Sequence, residues 1–227
     1  MILGLIPAKR GSTRLPEKNI RPLGGKPMLC WTVQAARASG VIDRLVVSTE
    51  DEKVARVARD CGAEVPFMRP PELARDPAGV VQVALHALEA LRKQGAEFKT
   101  LVIMLPTCPL RSAQDIKDAF ALFTKKKGKF LMSVGPYPHT PFAALDLRKD
   151  GTLKPFFPEH GAKRSQQLPA AWRPNGALHI LDVAAFEKAR SYFGKPLLGY
   201  PMPAERSVDV DHEADFLEAE RLLPKAR

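Results

Sequence analysis

The chain contains 227 residues, of which 45% are apolar and 26% are charged. This length and composition fit one globular domain with a sizeable core and exclude an extensively disordered protein. No apolar run approaches the roughly 20 residues of a membrane-spanning helix, and the first apolar run meets cationic residues too early for a signal peptide. We therefore expect a cytoplasmic protein with no membrane partner.

The formal net charge is +10, from 35 lysines and arginines against 25 acidic residues. Such an excess favours an anionic partner, which nucleic acids, membrane surfaces and polyphosphates all provide. The densest cationic run, residues 125–129, follows a helical pattern and has the composition of an ordinary helix C-terminus. Because no aromatic residues interleave with the basic ones to stack on bases, we expect no nucleic-acid partner.

The cysteines Cys30, Cys61 and Cys108 are far apart in the sequence and have no CxxC spacing. Their number and spacing support neither a disulfide framework nor a zinc site. We expect three reduced and mostly buried thiols.

Short apolar runs alternate with amphipathic segments along the first half of the chain. Strands are predicted at MILGLIPA, DRLVVSTED, AEVPF and TLVIMLP, and helices at MLCWTVQAARAS, EKVARVARDCG, 81–95 and SAQDIKDAFALFTKKK. Later, GALHILDV returns to strand character, and SVDVDHEADFLEAERLL predicts a short strand, an acidic turn and a helix. This order predicts an α/β fold with a mostly parallel sheet covered by helices on both faces.

The alternation fails between Pro136 and Pro174, where prolines, glycines and aromatic residues accumulate without clean periodicity. We therefore expect a single domain over residues 1–227 in which approximately residues 136–174 form an excursion from the sheet. An arm, a lid or a subunit contact would each account for such a segment.

The stretch IPAKRGSTRLPEKN follows the first predicted strand, and ligands of open parallel sheets bind at the carboxyl ends of the strands. Gly11 and Ser12 would let backbone N–H groups approach an anion, and the charge of Lys9, Arg10 and Lys18 suits a polyphosphate, as does that of nearby Arg14 and Arg21. The stretch lacks the GxxxxGK[ST] pattern of a Walker A loop. A solvated basic loop fits the same composition.

Two further stretches carry candidate chemistry. In VDVD, Asp209 and Asp211 would lie on the same face of a strand and could share one Mg²⁺ ion, although Asp211 also fits a helix N-cap. In RPNGALHI, the Asn175–Gly176 pair is first a turn signal, and the amide of Asn175 could also contact a base or a sugar.

Three stretches carry a family resemblance by their order and separation: IPAKRGSTRLPEKN, RSQQLPAAWRPNGALHI and SVDVDHEADFLEAERLL. With them, the sequence resembles the acylneuraminate cytidylyltransferases, also called CMP-sialic acid synthetases. The segments VSTEDEKVARVARDCGAEVPFMRPPELARD and LPTCPLR are similar to intervening blocks of that family, so the resemblance covers about residues 2–223. It implies a Rossmann-like nucleotidyltransferase fold with a small protruding dimerisation arm. It also implies a Mg²⁺-dependent homodimer that condenses CTP with a nonulosonic keto-sugar acid and releases pyrophosphate.

The resemblance also assigns roles to individual positions of this sequence. Catalysis would involve Lys9, Arg10, Lys18, Asp209 and Asp211, with the two aspartates as the metal ligands. CTP would be bound by Lys9, Gly11, Ser12, Lys18, Asn19 and Arg69, and the sugar by Leu105, Arg164, Gln166 and Asn175.

Three positions depart from the family pattern. Lys9 replaces an arginine and so keeps the charge but loses the bidentate fork. Leu105 stands where the sialic acid enzymes usually carry glutamine, and His179 replaces a tyrosine. The changes at Leu105 and His179 lead us to expect that the sugar acid is not N-acetylneuraminate itself but a related nonulosonate or a Kdo-like acid.

Two other functions remain open at this stage. STRLP followed by GGKPM is also similar to the cytidylyltransferases of the eight-carbon acid Kdo, and a different sugar nucleotidyltransferase would use similar chemistry. A non-catalytic polyanion binder would use the same net charge, but its affinity would fall steeply with salt and would not depend on Mg²⁺ or CTP.

Overall fold

The computed structural model describes residues 1–12, 14–75, 77–161 and 163–223. The strands are β1 (Ile2–Pro7), β2 (Pro22–Leu23), β3 (Lys26–Pro27), β4 (Arg44–Ser48), β5 (Thr100–Ile103), β6 (Phe130–Pro136), β7 (Leu145–Leu147), β8 (Leu153–Pro155), β9 (Trp172–Asp182) and β10 (Leu197–Pro201). The α-helices are α1 (Met28–Ala38), α2 (Glu52–Asp60), α3 (Val80–Lys93), α4 (Ala113–Lys125), α5 (Val183–Ala189) and α6 (Glu213–Leu222). No helix among these described residues is both long enough and apolar enough to cross a bilayer.

Six strands form the central sheet, in the order β10-β6-β9-β5-β1-β4. Strand β1 pairs in parallel with β4 and β5, and β10 pairs in parallel with β6. Strand β9 lies between β5 and β6 and is antiparallel to both. The prediction of a mostly parallel α/β sheet flanked by helices is therefore confirmed.

The side chains of β1 explain why helices cover both faces of the sheet. Leu3 and Leu5 are fully buried on one face with residues of α3, whereas Ile6 is fully buried on the other with residues of α1 and α4. Burial of each such side chain contributes about 1.5–3 kcal/mol to the stability of the fold. Because both faces carry apolar side chains, helices are needed on both sides to bury them. The sheet consequently exposes its strand ends, and the site is built there.

The segment before α6 returns to the carboxyl ends of β1 and β5. The backbone N–H of Val210 donates to the carbonyl of Thr107 at 2.8 Å, immediately after β5. Val210 and Phe216 are buried in a small apolar cluster with Leu15 and Leu23 from the N-terminal loop. These contacts place residues 209–211 next to residues 9–19.

Four local expectations are corrected by the structure. The predicted strand AEVPF is reduced to a single bridge between Val46 and Glu64, and the predicted strand in VDVD does not form. Strand β6 was not predicted, although it pairs with both β9 and β10. Cys30 and Cys61 are joined as a disulfide, because α1 brings Cys30 to within a Cα–Cα distance of 5.4 Å from Cys61 at the end of α2.

The segment between β6 and β9 leaves the sheet. Its extended structure is the two-stranded hairpin of β7 and β8, and short 3-10 turns connect the rest of its described residues. Leu145, Leu147, Leu153 and Phe156 are all more than half exposed. The predicted excursion therefore presents an apolar surface that the other described residues leave uncovered.

Candidate active site

A cavity of about 340 Å³ opens at the carboxyl edge of the sheet, among the ends of β1 and β5, the start of α3 and the segment 209–211. A second hollow of about 220 Å³ adjoins it over the N-terminal loop. Of the residues predicted for the site, those that line one or both are Lys9, Gly11, Ser12, Lys18, Asn19, Arg69, Leu105, Asp209 and Asp211. The fold thus brings together residues that are up to about two hundred positions apart.

Internal hydrogen bonds hold the N-terminal loop in shape. The buried amide of Asn19 donates from Nδ2 to the carbonyl of Lys9 at 2.7 Å, which draws the two ends of the loop together. Ser12 Oγ accepts a bond from the backbone N–H of Leu15 at 3.3 Å. The amide oxygen of Asn19, Oδ1, is buried without a partner in the described structure, so it is available to a ligand that carries a donor.

Arg10 does not contribute to either hollow. Its side chain is 62% exposed and forms an ion pair with Asp51 at 3.1 Å, while its backbone N–H donates to Glu50. The guanidinium of Arg10 thus lies at the N-terminal end of α2 in this structure, and its predicted catalytic role stays a prediction.

The two carboxylates of the VDVD stretch have different environments. Asp211 accepts hydrogen bonds from Lys18 Nζ at 2.7 Å and from Arg14 Nη1 at 3.0 Å. The hydrogen bond from Lys18 is the main cause that lowers the pKa of Asp211. Burial raises the pKa of Asp209, and the charge of Asp211 adds to that increase against the hydrogen bond from Thr107.

These two carboxylates fit a magnesium ion that is held jointly with a nucleotide. Mg²⁺ is commonly bound through one or two carboxylates, with substrate phosphates and water completing its coordination. Asp209 and Asp211 line the same cavity and provide such a pair. Within the described residues no group of three or more histidine, cysteine, aspartate or glutamate side chains could hold a metal, so a cage made only of protein ligands is not available there.

Arg69 forms a buried wall of the larger cavity. Its side chain is 3% exposed and pairs through Nη2 with Glu50, while its Nε has no partner in the described structure. Glu50 thus fixes the guanidinium at one end of the cavity and leaves a donor for a ligand. The predicted contact of Arg69 with the nucleotide stays a prediction.

The predicted sugar residues do not all reach the cavity. Leu105 lines it directly after β5. Asn175 is 1% exposed, and its amide accepts from Ser133 at 2.6 Å and donates to Ser207 at 2.9 Å. The structure therefore corrects the prediction of a direct sugar contact for Asn175, whose polar atoms link β9 to β6 and to the segment before Asp209.

The other two predicted sugar residues, Arg164 and Gln166, lie on the excursion and are exposed. They line neither of the two hollows. His179, which we expected to alter the sugar pocket, is buried in the sheet against Tyr192, and burial lowers its pKa to about 4. His179 is therefore a neutral residue of the core.

Sequence reasoning missed two residues of LPTCPLR. Thr107 lines the cavity, and its carbonyl holds Val210 between the two carboxylates. Arg111 is 2% exposed and donates to Thr32 Oγ1 at 2.8 Å and to the carbonyl of Ala177, so it ties α1 to β9 beneath the site. The sequence feature that could have identified Thr107 and Arg111 as site residues is their position in LPTCPLR, which is similar to a block of the family.

Comparisons with known proteins agree with this geometry. The chain is 30% identical over 223 residues to the pseudaminic acid cytidylyltransferase of Campylobacter jejuni, covering 98% of this chain and 96% of the relative. It is 30% identical over 224 residues to the CMP-N,N'-diacetyllegionaminic acid synthase of Legionella pneumophila, with the same coverage. The N-acylneuraminate cytidylyltransferase of Escherichia coli is also 30% identical, over 95% of this chain and 50% of that relative.

Solved structures show the same fold at lower sequence identity. The CMP:2-keto-3-deoxy-manno-octonic acid synthetase complexed with CTP superposes with a TM-score of 0.71 at 14% identity and covers 98% of both chains. The 4-diphosphocytidyl-2C-methyl-D-erythritol synthase of Anaerococcus prevotii gives a TM-score of 0.65 at 11% identity. The family model described as cytidylyltransferase matches residues 3–133. With this match and the near-complete alignment to the curated relatives, the chain belongs to the cytidylyltransferase family of nucleotidyltransferase enzymes.

Proposed function

We propose that the protein transfers the cytidylyl group of CTP to a nonulosonic keto-sugar acid, giving a CMP-sugar and pyrophosphate. The observation that carries this proposal is the meeting of a cationic loop and two carboxylates at one cavity. Lys9, Lys18 and Asn19 line it together with Asp209 and Asp211. A site that must hold both a triphosphate and a divalent cation needs this combination of charges.

The loop residues would hold the leaving group. Attack by the anomeric hydroxyl of the sugar acid on the α-phosphorus expels pyrophosphate, and negative charge accumulates on the departing oxygen. Lys9 and Lys18 line the smaller hollow next to Gly11 and Ser12, whose backbone allows close approach of phosphate oxygens. Fixed cations at that place stabilise the transition state without reorganisation at the moment of reaction.

Asp209 and Asp211 would hold Mg²⁺, which when bound supplies positive charge to the phosphate oxygens. Asp209 is held by the loop after β5, because the carbonyl of Thr107 accepts a hydrogen bond from the backbone N–H of Val210 and the thiol of Cys108 lies 3.7 Å from Asp209 Oδ1. Arg69 would contact the nucleoside from the buried end of the cavity with its unpaired Nε. The rest of that end is apolar and is lined by Leu73, Ala78, Val80 and Val83.

The sugar acid is proposed to be a nonulosonate less polar than N-acetylneuraminate at the position that faces Leu105. This side chain cannot form hydrogen bonds, and it lies on the cavity wall. A sugar hydroxyl or amide buried against it would lose about 1–3 kcal/mol. The relatives aligned over nearly their whole length carry the names of pseudaminic and diacetyllegionaminic acid, which agrees with this class of substrate.

We further propose that the protein acts as a homodimer through the excursion. Four large apolar side chains, Leu145, Leu147, Leu153 and Phe156, are between 51% and 70% exposed there. A second copy would cover them and bring Arg164 and Gln166 towards the neighbouring sugar site. Sedimentation velocity of the wild type and of a Leu147→Lys, Phe156→Lys double variant tests this, because an unchanged dimer in the variant contradicts the assignment.

The experiment that tests the proposed function is a screen of pyrophosphate release. All four nucleoside triphosphates are combined with a panel of keto-sugar acids, including nonulosonates and Kdo, in the presence of Mg²⁺. Release that requires both CTP and a nonulosonate supports the proposal. Release with another nucleotide, or with Kdo in preference to every nonulosonate, contradicts it.

A further inference from the structure

The carboxylate of Asp211 is occupied on both oxygens by cations of the N-terminal loop. Lys18 Nζ lies 2.7 Å from Oδ1, and Arg14 Nη1 lies 3.0 Å from Oδ2. A divalent ion bound to this carboxylate would be repelled by both cations, so its binding is favoured when at least one of these pairs opens. The free protein therefore holds one of its two proposed metal ligands in a competing interaction.

The same three residues face the hollow in which a triphosphate would lie. Lys9, Gly11, Ser12, Arg14, Lys18 and Asp211 all line the space of about 220 Å³ over the loop. A triphosphate carries more negative charge than one carboxylate, and the planar guanidinium of arginine matches phosphate oxygens in pairs. A nucleotide in this hollow would therefore compete directly with Asp211 for the same two cations.

The two cations differ in how firmly they are held. The Arg14 side chain is 59% exposed, so its pair with Asp211 is a surface interaction that opens at little cost. The Lys18 side chain is 13% exposed, and its Nζ also donates to the carbonyl of Val210 at 2.8 Å. The exposed guanidinium of Arg14 can swing away from Asp211 into the hollow. The ammonium group of Lys18 only needs to rotate from Asp211 towards the hollow beside it.

We propose that Arg14 and Lys18 change partners, from Asp211 in the free protein to the triphosphate in the complex, and that this exchange releases Asp211 to bind the divalent cation. The inference rests on the proposed function, since it takes a nucleoside triphosphate as the ligand. It adds Arg14 to the residues that bind the triphosphate. It also makes nucleotide and metal binding cooperative, and by linkage each tightens the other by the same factor.

The decisive variant is Asp211→Asn, studied without metal. Its binding of α,β-methylene-CTP is measured by calorimetry in the presence of EDTA. Loss of the carboxylate frees Arg14 and Lys18 in advance, so the variant is expected to bind the analogue about threefold to tenfold more tightly than the wild type. Arg14→Gln is expected to bind it more weakly than the wild type.

Glu213→Gln is the matched control, because it removes one acidic charge two residues away and frees Arg21 from an equivalent pair. A general effect of net charge would change the affinity of both acidic variants equally. Equal affinities in Asp211→Asn and Glu213→Gln, or weaker binding in Asp211→Asn than in the wild type, would overturn the proposal.

A second measurement uses no nucleotide and so does not depend on CTP as the substrate. Mn²⁺ binding to the free protein is followed by electron paramagnetic resonance in the wild type, Arg14→Gln and Arg21→Gln. Arg14→Gln is expected to bind Mn²⁺ about threefold to tenfold more tightly than the other two proteins. Equal Mn²⁺ affinity in all three proteins contradicts the exchange, whereas a failure of the proposed function would show as no binding of the CTP analogue to the wild type even with Mg²⁺.

Discussion

Replacement of Lys18 by alanine tests whether the N-terminal loop holds the triphosphate. The Lys18 side chain is 13% exposed, and its ammonium group makes two hydrogen bonds at 2.7 and 2.8 Å in the free protein. Loss of a charge-assisted contact to phosphate costs about 1.5–3 kcal/mol. We therefore expect kcat/KM for CTP to fall roughly tenfold to a hundredfold.

The same substitution also removes the tie between the loop and Val210. One such hydrogen bond contributes about 1 kcal/mol, which in a chain of this size corresponds to a decrease in Tm of about 2–4 °C. A much larger decrease in Tm would show that Lys18 acts mainly on the fold. The melting curve therefore separates loss of binding from loss of structure.

The assay is pyrophosphate release at saturating sugar acid with varied CTP, and the control variant is Lys126→Ala. Lys126 is an exposed lysine just after α4, in the densest cationic run, and it lines neither hollow. If the loop is only a basic surface, both substitutions will reduce kcat/KM by the same small factor. That result would refute the assignment of the loop to the triphosphate.

Three further predictions concern other parts of the molecule. Asp209→Asn and Asp211→Asn should each lower turnover by orders of magnitude with the fold intact by circular dichroism, and near-normal rates of both at limiting Mg²⁺ would exclude them as metal ligands. Leu105→Gln should shift kcat/KM towards N-acetylneuraminate and away from a 5,7-diamino nonulosonate; if N-acetylneuraminate is already the best substrate and the ranking does not change, Leu105 serves only packing. Burial alone would raise the pKa of Asp115, but the hydrogen bonds from Arg206 and Ser112 together outweigh it and lower that pKa. The pair with Arg206 therefore stabilises the fold above about pH 4, and its contribution is lost as pH falls through the lower folded value. Arg206→Ala should therefore cost about 2–3 kcal/mol at pH 7 in urea unfolding and less at pH 3, and an equal loss at both pH values would show that the pair does not titrate as described.

Periodicity alone predicted the elements that are buried on one or two faces over a sufficient length. Strand β1 and helix α3 were recognised because each presents an uninterrupted apolar pattern to the core. Strand β6 escaped prediction because its sequence, FLMSVGP, follows a cationic helix end and closes on the irregular excursion. The antiparallel direction of β9 could not be predicted either, because a buried strand has the same apolar pattern whether its neighbours are parallel or antiparallel to it.

The site could be predicted from the resemblance only as a set of positions, without their contacts. Asp209 and Asp211 line one cavity although no strand forms there. The hydrogen bond between Val210 and Thr107 holds this segment, so that both carboxylates lie on the same side. The roles of Arg10 and Asn175 could not be judged from sequence, because each depends on a partner remote along the chain. Arg10 meets Asp51, and Asn175 meets Ser133 and Ser207.

The docking of Val210 and Phe216 onto Leu15 and Leu23 also governs when activity can first appear during synthesis. The sheet and most of its helices can assemble before this contact exists, but the two carboxylates reach the loop through it and through the hydrogen bond between Val210 and Thr107. On the proposed function, a nascent chain would remain unable to bind metal and triphosphate together until α6 had left the ribosome. The enzyme would therefore become competent in a single late step of its folding, after the polypeptide that surrounds the cavity has already formed.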